Sequence, residues 1–223
     1  MIDKRCDSAM EAMTGVRDGA TVLIGGFGDS GTPLVLLEAL IEHGARDLVV
    51  VSNNAGSGHY GLAALIETGN VRKVVCTYPR TSGSVVFDEF YNSGRIELEM
   101  APQGTMAERI RAAGAGIGAF YTPTAAGTDL AQGKETRVID GREHVLEFAL
   151  HGDVALIKAQ QADRWGNLTY RWAGQNFAPI MATAAALTIA QVGEFVALGD
   201  LHPERVVTPG VYVDHVVVEG ESR

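Results

Sequence analysis

The sequence predicts an α/β fold, a mainly parallel sheet flanked by helices with one extra hairpin-like insertion. Three observations carry that expectation. Apolar runs of strand length recur at 21–24, 48–52, 73–77, 96–100, 154–159, 187–192 and 211–218. Between them lie segments at 33–43, 60–68, 87–93 and 106–113, several with apolar residues at helical spacing, and such alternation builds parallel sheets. Residues 114–143 alone break the rhythm. In open α/β sheets ligands collect outside the carboxyl ends of the strands, which would bring loops 25–33, 52–56 and 101–104 to one crevice.

The first run, Thr21-Val22-Leu23-Ile24, leads straight into Gly25-Gly26-Phe27-Gly28-Asp29-Ser30-Gly31-Thr32-Pro33. Glycine tolerates positive φ and lets a ligand approach the main chain, while proline preorganises a first helical turn whose free N–H groups favour anions. The segment reads as a strand, a glycine turn and a helix start bordering an elongated, phosphorylated ligand. Gly26 to Gly31 also fits the G-x-G-x-x-G pattern of nicotinamide sites. That reading needs an acid after the next strand, where this chain has Ser52-Asn53-Asn54, and it sets Asp29 among pyrophosphate oxygens. The nicotinamide reading is disfavoured on both counts. A purely structural tight turn stays open.

Ser52-Asn53-Asn54-Ala55-Gly56 places two neutral carboxamides after the second strand. An amide N–H suits an acyl oxygen that becomes anionic, although asparagine also closes turns for local reasons. Pro102-Gln103-Gly104-Thr105 repeats the arrangement after the fourth strand, with Thr105 read as a helix N-cap and Glu108 completing a capping box. The stretch from Gly114 to Glu143 reads either as a functional or interface excursion or as a β-hairpin over one sheet edge, with Ile139-Asp140-Gly141-Arg142-Glu143 as its turn. Asp163 and Asn167 read as turn residues after the fifth strand, and the segments around Gly199 and Thr208-Pro209-Gly210 as further turns.

Composition narrows the function. The 223 residues suit one sizeable core, and no Pro/Ser-rich linker divides them, so one domain over 1–223 is expected. With 46% hydrophobic and 20% charged residues the chain is in the globular range, and no apolar run reaches the length of a bilayer span. The start, Met1-Ile2-Asp3-Lys4-Arg5-Cys6-Asp7, has no apolar signal core, which points to a cytoplasmic address. A formal charge of -9 without a basic run argues against nucleic acid. Cys6 and Cys76 are too few for a disulfide framework, and the six histidines lack metal-type spacing, so no metal is expected.

Taken together, these loops resemble the alpha subunits of the class I coenzyme A transferases. The resemblance runs through Asp18 to Phe27 followed by Gly31 and Pro33, then Ser52 to Gly56, Pro102 to Thr105, and Lys158-Ala159 with Ala162-Asp163 and Gly166-Asn167. It implies transfer of CoA from an acyl-CoA donor, commonly succinyl-CoA, to a free acid, through a glutamyl-CoA thioester on a partner B subunit. CoA thioesters are then substrates, and no cofactor is permanently bound. Within the family, Val71 to Cys76, Phe87-Asp88-Glu89, Ala112 to Phe120 and Asp163 to Arg171 point to 3-oxoadipate as acceptor, ahead of acetoacetate and shorter acids, and so to the β-ketoadipate route of aromatic degradation. The partner's glutamate lies in a Ser-Glu-Asn-Gly-like sequence, and none of the fifteen glutamates here has that setting. By resemblance, Asn53 or Asn54 lines the oxyanion region, Gln103 contacts the reacting acyl or carboxylate group, and Gly25, Gly26, Phe27, Gly28 and Gly31 border the CoA channel. A non-catalytic ligand-binding domain that keeps the crevice is the alternative from another class.

Overall fold

The computed structural model describes residues 2–220. After the short helix α1 (Ala9–Ala12), β1 (Thr21–Ile24), α2 (Leu34–His43), β2 (Leu48–Val51), α3 (Gly61–Glu67), β3 (Val71–Cys76), α4 (Val85–Asn92) and β4 (Glu97–Met100) follow in strict alternation. Helix α5 (Gln103–Gly114) leads to β5 (Ala119–Thr122), β6 (Thr136–Ile139) and β7 (Arg142–Phe148). The chain then returns through β8 (Gly152–Ala162), β9 (Leu168–Thr169), α6 (Ala178–Ala184), β10 (Ala185–Phe195) and β11 (His215–Val218).

The main sheet has the order β11-β10-β8-β1-β2-β3-β4, parallel throughout, with β9 added antiparallel to β8. Strand order reverses at β1, which lies between β2 and β8, so the chain leaves this strand in one direction and later resumes on its other side. Such a switch point opens a crevice at the carboxyl ends of the strands.

The central strands β1, β2, β8 and β10 are buried on both faces, which is why their runs read as continuous apolar segments rather than alternating ones, whereas the edge strand β4 is part-exposed. Val22, Ile24, Val50, Val74, Val154 and Leu156 pack against α1 to α4, where Leu36, Leu37, Leu65, Ile66 and Phe87 complete one core. Leu23, Val51, Val75, Ala155 and Ile157 face the opposite way, onto Met106 and Ile110 of α5 and Met181 of α6. Helix α6 had no counterpart in the sequence reading. It is short, alanine-rich and runs into β10 with no intervening loop, so its periodicity is drowned by the strand that follows.

The predicted insertion is a three-stranded antiparallel sheet, β5-β7-β6. Its hairpin turns at Asp140 (φ 50°) and Gly141 (φ 76°), both left-handed, as a two-residue turn matched to strand twist demands. The last predicted strand is shorter than expected, because Gly210–Tyr212 forms a 3-10 turn before β11. Thr105 does not cap α5 either. The helix begins at Gln103, its cap position falls on Pro102, and Thr105 lies buried in the first turn with no hydrogen-bond partner for its hydroxyl. Glu108 instead pairs with Arg111 at 2.8 Å. Pro102 lacks an N–H and presets the entry angle, so the helix starts as soon as the proline permits.

Charged contacts dock the small sheet. Arg109 of α5 donates to Glu99 of β4 at 2.9 Å and to the Phe148 carbonyl at 2.9 Å, and Glu147, nearly fully buried, accepts from Lys134 at 2.6 Å. Burial pushes the Glu99 carboxyl up, but hydrogen bonds from Lys73 and Arg109 outweigh it and hold the group below its ordinary range. That contribution is present at neutral pH and is lost as pH falls through the lowered value. Arg109→Ala removes one stabilising cation and leaves Glu147 with Lys134 alone. Denaturant titration should show a loss of about 3 kcal/mol, with acid unfolding starting at higher pH. A change below about 1 kcal/mol would contradict this docking account.

Candidate active site

The crevice at the switch point is a cleft of about 210 Å³ between the loops that follow β1, β2 and β3. Gly25, Gly26, Gly28, Asp29 and Thr32 form one wall, and Ser52, Asn54, Gly56 and Tyr60 another. Thr81 and Ser82 close it from the loop after β3. Across its mouth the Tyr60 hydroxyl donates to Asp29 Oδ1 at 3.1 Å. Of the expected loops, 25–33 and 52–56 meet here, while 101–104 does not line the cleft and its Gln103 bonds to Asn53 beside it; the lining contains no glutamate.

The glycine segment is a tight hairpin. Phe27 and Ser30 exchange backbone hydrogen bonds at 3.0 and 3.2 Å, which leaves Gly28 and Asp29 at the tip. Gly26 has φ +139° and a Cβ there would lie 2.7 Å from Thr32 Oγ1, so this position needs glycine twice over. Gly31, at φ +72°, packs against Asn176 and the Gly174 carbonyl and lines a second groove with Ser30, Lys158, Tyr170, Arg171 and Trp172. Phe27 projects half exposed.

The expected anion cradle is corrected by this geometry. The Gly25 N–H donates to the Leu156 carbonyl and the Gly26 N–H to Asn176 Oδ1, both at 2.9 Å. Pro33 stands one position before helix α2 rather than inside its first turn. The Leu34 N–H is on the Thr32 carbonyl and the Val35 N–H on Gln191 Oε1 at 3.0 Å. The N–H groups of Gly25, Gly26, Leu34 and Val35 are thus already bonded inside the protein. The glycines supply closeness of approach instead.

The two asparagines have different surroundings. Asn53 is fully enclosed. Its Oδ1 accepts from Gln103 Nε2 at 2.9 Å and Thr77 Oγ1 at 3.0 Å, while its Nδ2 donates to the Tyr78 hydroxyl at 3.1 Å. Its carbonyl accepts from the Thr77 N–H as well. A side chain so occupied holds others in place. Gln103 is exposed at the head of α5 and Tyr78 is half-buried. Asn54 uses Oδ1 to close an Asx turn onto the Gly56 N–H at 2.8 Å, and its residue lines the cleft. Deleting one partner from the buried Asn53 set would leave unsatisfied polar groups at about 1–3 kcal/mol each.

Asp163 behaves as the sequence reading has it, accepting from the Trp165 and Asn167 N–H groups at 2.9 and 3.1 Å and from Asn167 Nδ2 at 2.8 Å. Lys158 is paired with Glu219, which also accepts from Gln191; burial raises the Glu219 carboxyl, but these two donors hold it below its ordinary value. Burial raises the Tyr170 hydroxyl to about 12, and its oxygen lies 2.7 Å from Thr208 Oγ1. Sequence reasoning missed Tyr78, Tyr60 and Asn176. Tyr78 lies one residue past a predicted strand and offers no motif, and Asn176 meets the glycine hairpin across about 150 residues, which no local pattern reveals.

No helix of the described residues is long and apolar enough to cross a membrane, and no group of three or more metal-ligating side chains exists among them. Cys76 closes β3 beside Thr77, and burial pushes its thiol up to about 12. Cys6 rises to about 11, through burial and then Glu11. Both are therefore thiols at neutral pH and poor nucleophiles. In a thiol titration with an aromatic disulfide at pH 8 the native protein should show no fast-reacting group, and the denatured protein two. One stoichiometric fast thiol in the native protein would contradict the assignment.

Comparison with known proteins fits this geometry. The family model for coenzyme A transferase matches residues 6–219. The A subunit of the 3-oxoadipate CoA-transferase of Pseudomonas putida is 60% identical over 97% of this chain and 94% of its own length. The protein of that name from Acinetobacter baylyi is 58% identical over 97% of this chain and 95% of its own length. Among solved structures, an acyl-CoA transferase from Escherichia coli O157:H7 in a thioester complex with CoA superposes with a TM-score of 0.85 at 24% identity, a likeness of fold. It covers 97% of this chain and 47% of that longer one.

Proposed function

This chain belongs to the coenzyme A transferase family, and from that premise we infer that it is the A subunit of an enzyme that moves CoA from succinyl-CoA to a 3-oxo acid, 3-oxoadipate by preference. The observation that carries the reading is the 60% identity, over nearly the whole of both chains, to the A subunit of a 3-oxoadipate CoA-transferase. The cleft agrees with a polypeptide that is half of an active site. It presents the Asn54 amide, hydroxyls, glycine backbone and the Asp29 carboxylate, which the Tyr60 hydroxyl covers, and no glutamate.

The nucleophile then comes from a partner B subunit. Its glutamate carboxylate attacks the thioester carbonyl, expelling CoA thiolate and forming a mixed anhydride. The thiolate attacks the glutamyl carbonyl, which releases the donor acid and leaves a glutamyl-CoA thioester. Attack by the acceptor carboxylate and return of the thiolate reverse the sequence and free the carboxylate. Every step passes through a tetrahedral oxyanion, and this chain supplies the uncharged donors for it. Gln103 and Tyr78 are held in place by Asn53, with Asn54 at the cleft wall. Uncharged donors suit the task because they stabilise a developing charge without binding the ground-state carboxylate as an ion pair. Gly25, Gly26 and Gly28 let the pantetheine arm run close to the main chain, with Phe27 and Gly31 beside it. The chain acts as one domain over 1–223, in the cytoplasm, with CoA thioesters as substrates and no resident cofactor or metal.

Reconstitution with the B subunit tests this. 3-Oxoadipate should give the highest kcat/KM in a panel with acetoacetate and short-chain acids. Gln103→Ala should lower kcat about 100-fold, as loss of one oxyanion donor does elsewhere, while the melting temperature falls by only a few degrees, because Thr77 Oγ1 still donates to Asn53 Oδ1. Equal rates for wild type and Gln103→Ala would contradict the role assigned to the amide. Absence of transfer to any acid would contradict the function.

A further inference from the structure

Asn176 is the residue that the described site does not use and the fold treats as special. Its backbone has φ +30° and ψ -125°, a conformation that asparagine adopts rarely and glycine readily. Trp172, four residues earlier, also has a left-handed φ of +50° and is exposed. Two such residues within one short turn persist only where surrounding contacts over-determine them, and they cluster at functional sites.

The contacts that fix Asn176 lead to the glycine hairpin. Its Oδ1 accepts from the Gly26 N–H at 2.9 Å and from the Phe177 N–H at 2.6 Å. Its Nδ2 donates to the Gly174 carbonyl at 2.9 Å and to the Ser30 carbonyl at 3.3 Å. One amide therefore grips both arms of the hairpin, Gly26 on the way out and Ser30 on the way back. At Gly31 a Cβ would run into Nδ2, so the hairpin and the amide fit one another without spare room. Apart from this grip, the tip is held by the Phe27–Ser30 backbone pair, the Thr32 hydroxyl on the Gly28 carbonyl at 3.2 Å and the Tyr60–Asp29 contact.

We propose that Asn176 is a positioning residue for CoA transfer, an amide clamp that holds hairpin 26–31 in the shape that borders the acyl-CoA. It acts through Gly26 and Ser30, and touches no reacting atom. The proposal rests on the CoA-transferase reading. Glycine would suit the backbone of residue 176 better, so asparagine is retained for its side chain. An acid would keep the acceptor for Gly26 and Phe177 but lose both donors and place a charge beside the Ser30 carbonyl.

Two variants test it in the enzyme reconstituted with its B subunit. Asn176→Gly removes the clamp and relieves the backbone, so folding is not at risk from strain. Asn176→Asp keeps half of the bonds. Asn176→Gly should lower kcat/KM for succinyl-CoA at least tenfold, and Asn176→Asp by less. kcat/KM for the acceptor acid should stay within threefold, because the CoA is by then held covalently. A merely structural residue would lower both together, and that result, or kinetics within twofold of wild type, overturns the proposal. Amide hydrogen exchange gives the independent arm. Residues 26–31 should lose protection in Asn176→Gly while the strands keep theirs, and unchanged protection overturns the clamp. If the wild-type pair transfers no CoA, the functional reading fails, while the exchange experiment still reports on the clamp.

Discussion

The crevice depends on one buried amide. Asn53 sits at the carboxyl end of β2 with no exposure, and through it three separate elements meet: Thr77 and Tyr78 from the end of β3, and Gln103 from the first turn of α5. A side-chain amide can do this because it carries two donors and a two-lone-pair acceptor in one plane, and it does so without a charge that burial would penalise. The consequence for chemistry is rigidity. Gln103 and Tyr78, the groups nearer solvent, are held before a substrate arrives, and donors that need no reorganisation are the ones that stabilise a developing oxyanion.

A second amide, Asn176, does for the glycine hairpin what Asn53 does for the opposite side of the crevice. Both amides are neutral, and the chain's formal charge of -9 explains why that matters. The field around the protein repels a phosphorylated ligand, and the N–H groups of Gly25, Gly26, Leu34 and Val35 are bonded within the fold. This chain's share of the work is shape and hydrogen-bond donation. Its two thiols, Cys76 buried and Cys6 half-buried, are protonated at neutral pH.

Much of this was legible in the sequence because parallel strands buried on both faces leave continuous apolar runs. The strand–glycine–helix sequence at 21–34 and the Asp-Gly turn at 140–141 each have a local cause. Two of the loops that form the crevice, 25–33 and 52–56, could be named because the carboxyl ends of parallel strands share one edge, whereas the third wall comes from Thr81 and Ser82 after β3 rather than from 101–104. Less legible was what each polar group does there. Asn53 and Asn54 are adjacent and chemically identical, yet in the bend after β2 one is fully enclosed by Thr77, Tyr78 and Gln103 and the other lines the cleft. Nothing local separates them. The α2 amino end looked open to an anion because its donors are satisfied by Gln191, more than 150 residues away. Helix α6 escaped because seven residues without a polar face carry no period to detect. Long-range partners account for most of the other misses.

The central claim is that this polypeptide holds the thioester and a second polypeptide attacks it. Incubation with succinyl-CoA followed by intact-mass and peptide analysis tests it most directly. The account predicts no CoA adduct on the isolated chain and, once the B subunit is added, one CoA on a glutamate of that partner. Finding CoA attached to any residue of this chain, or full-rate transfer by the chain alone, would contradict it.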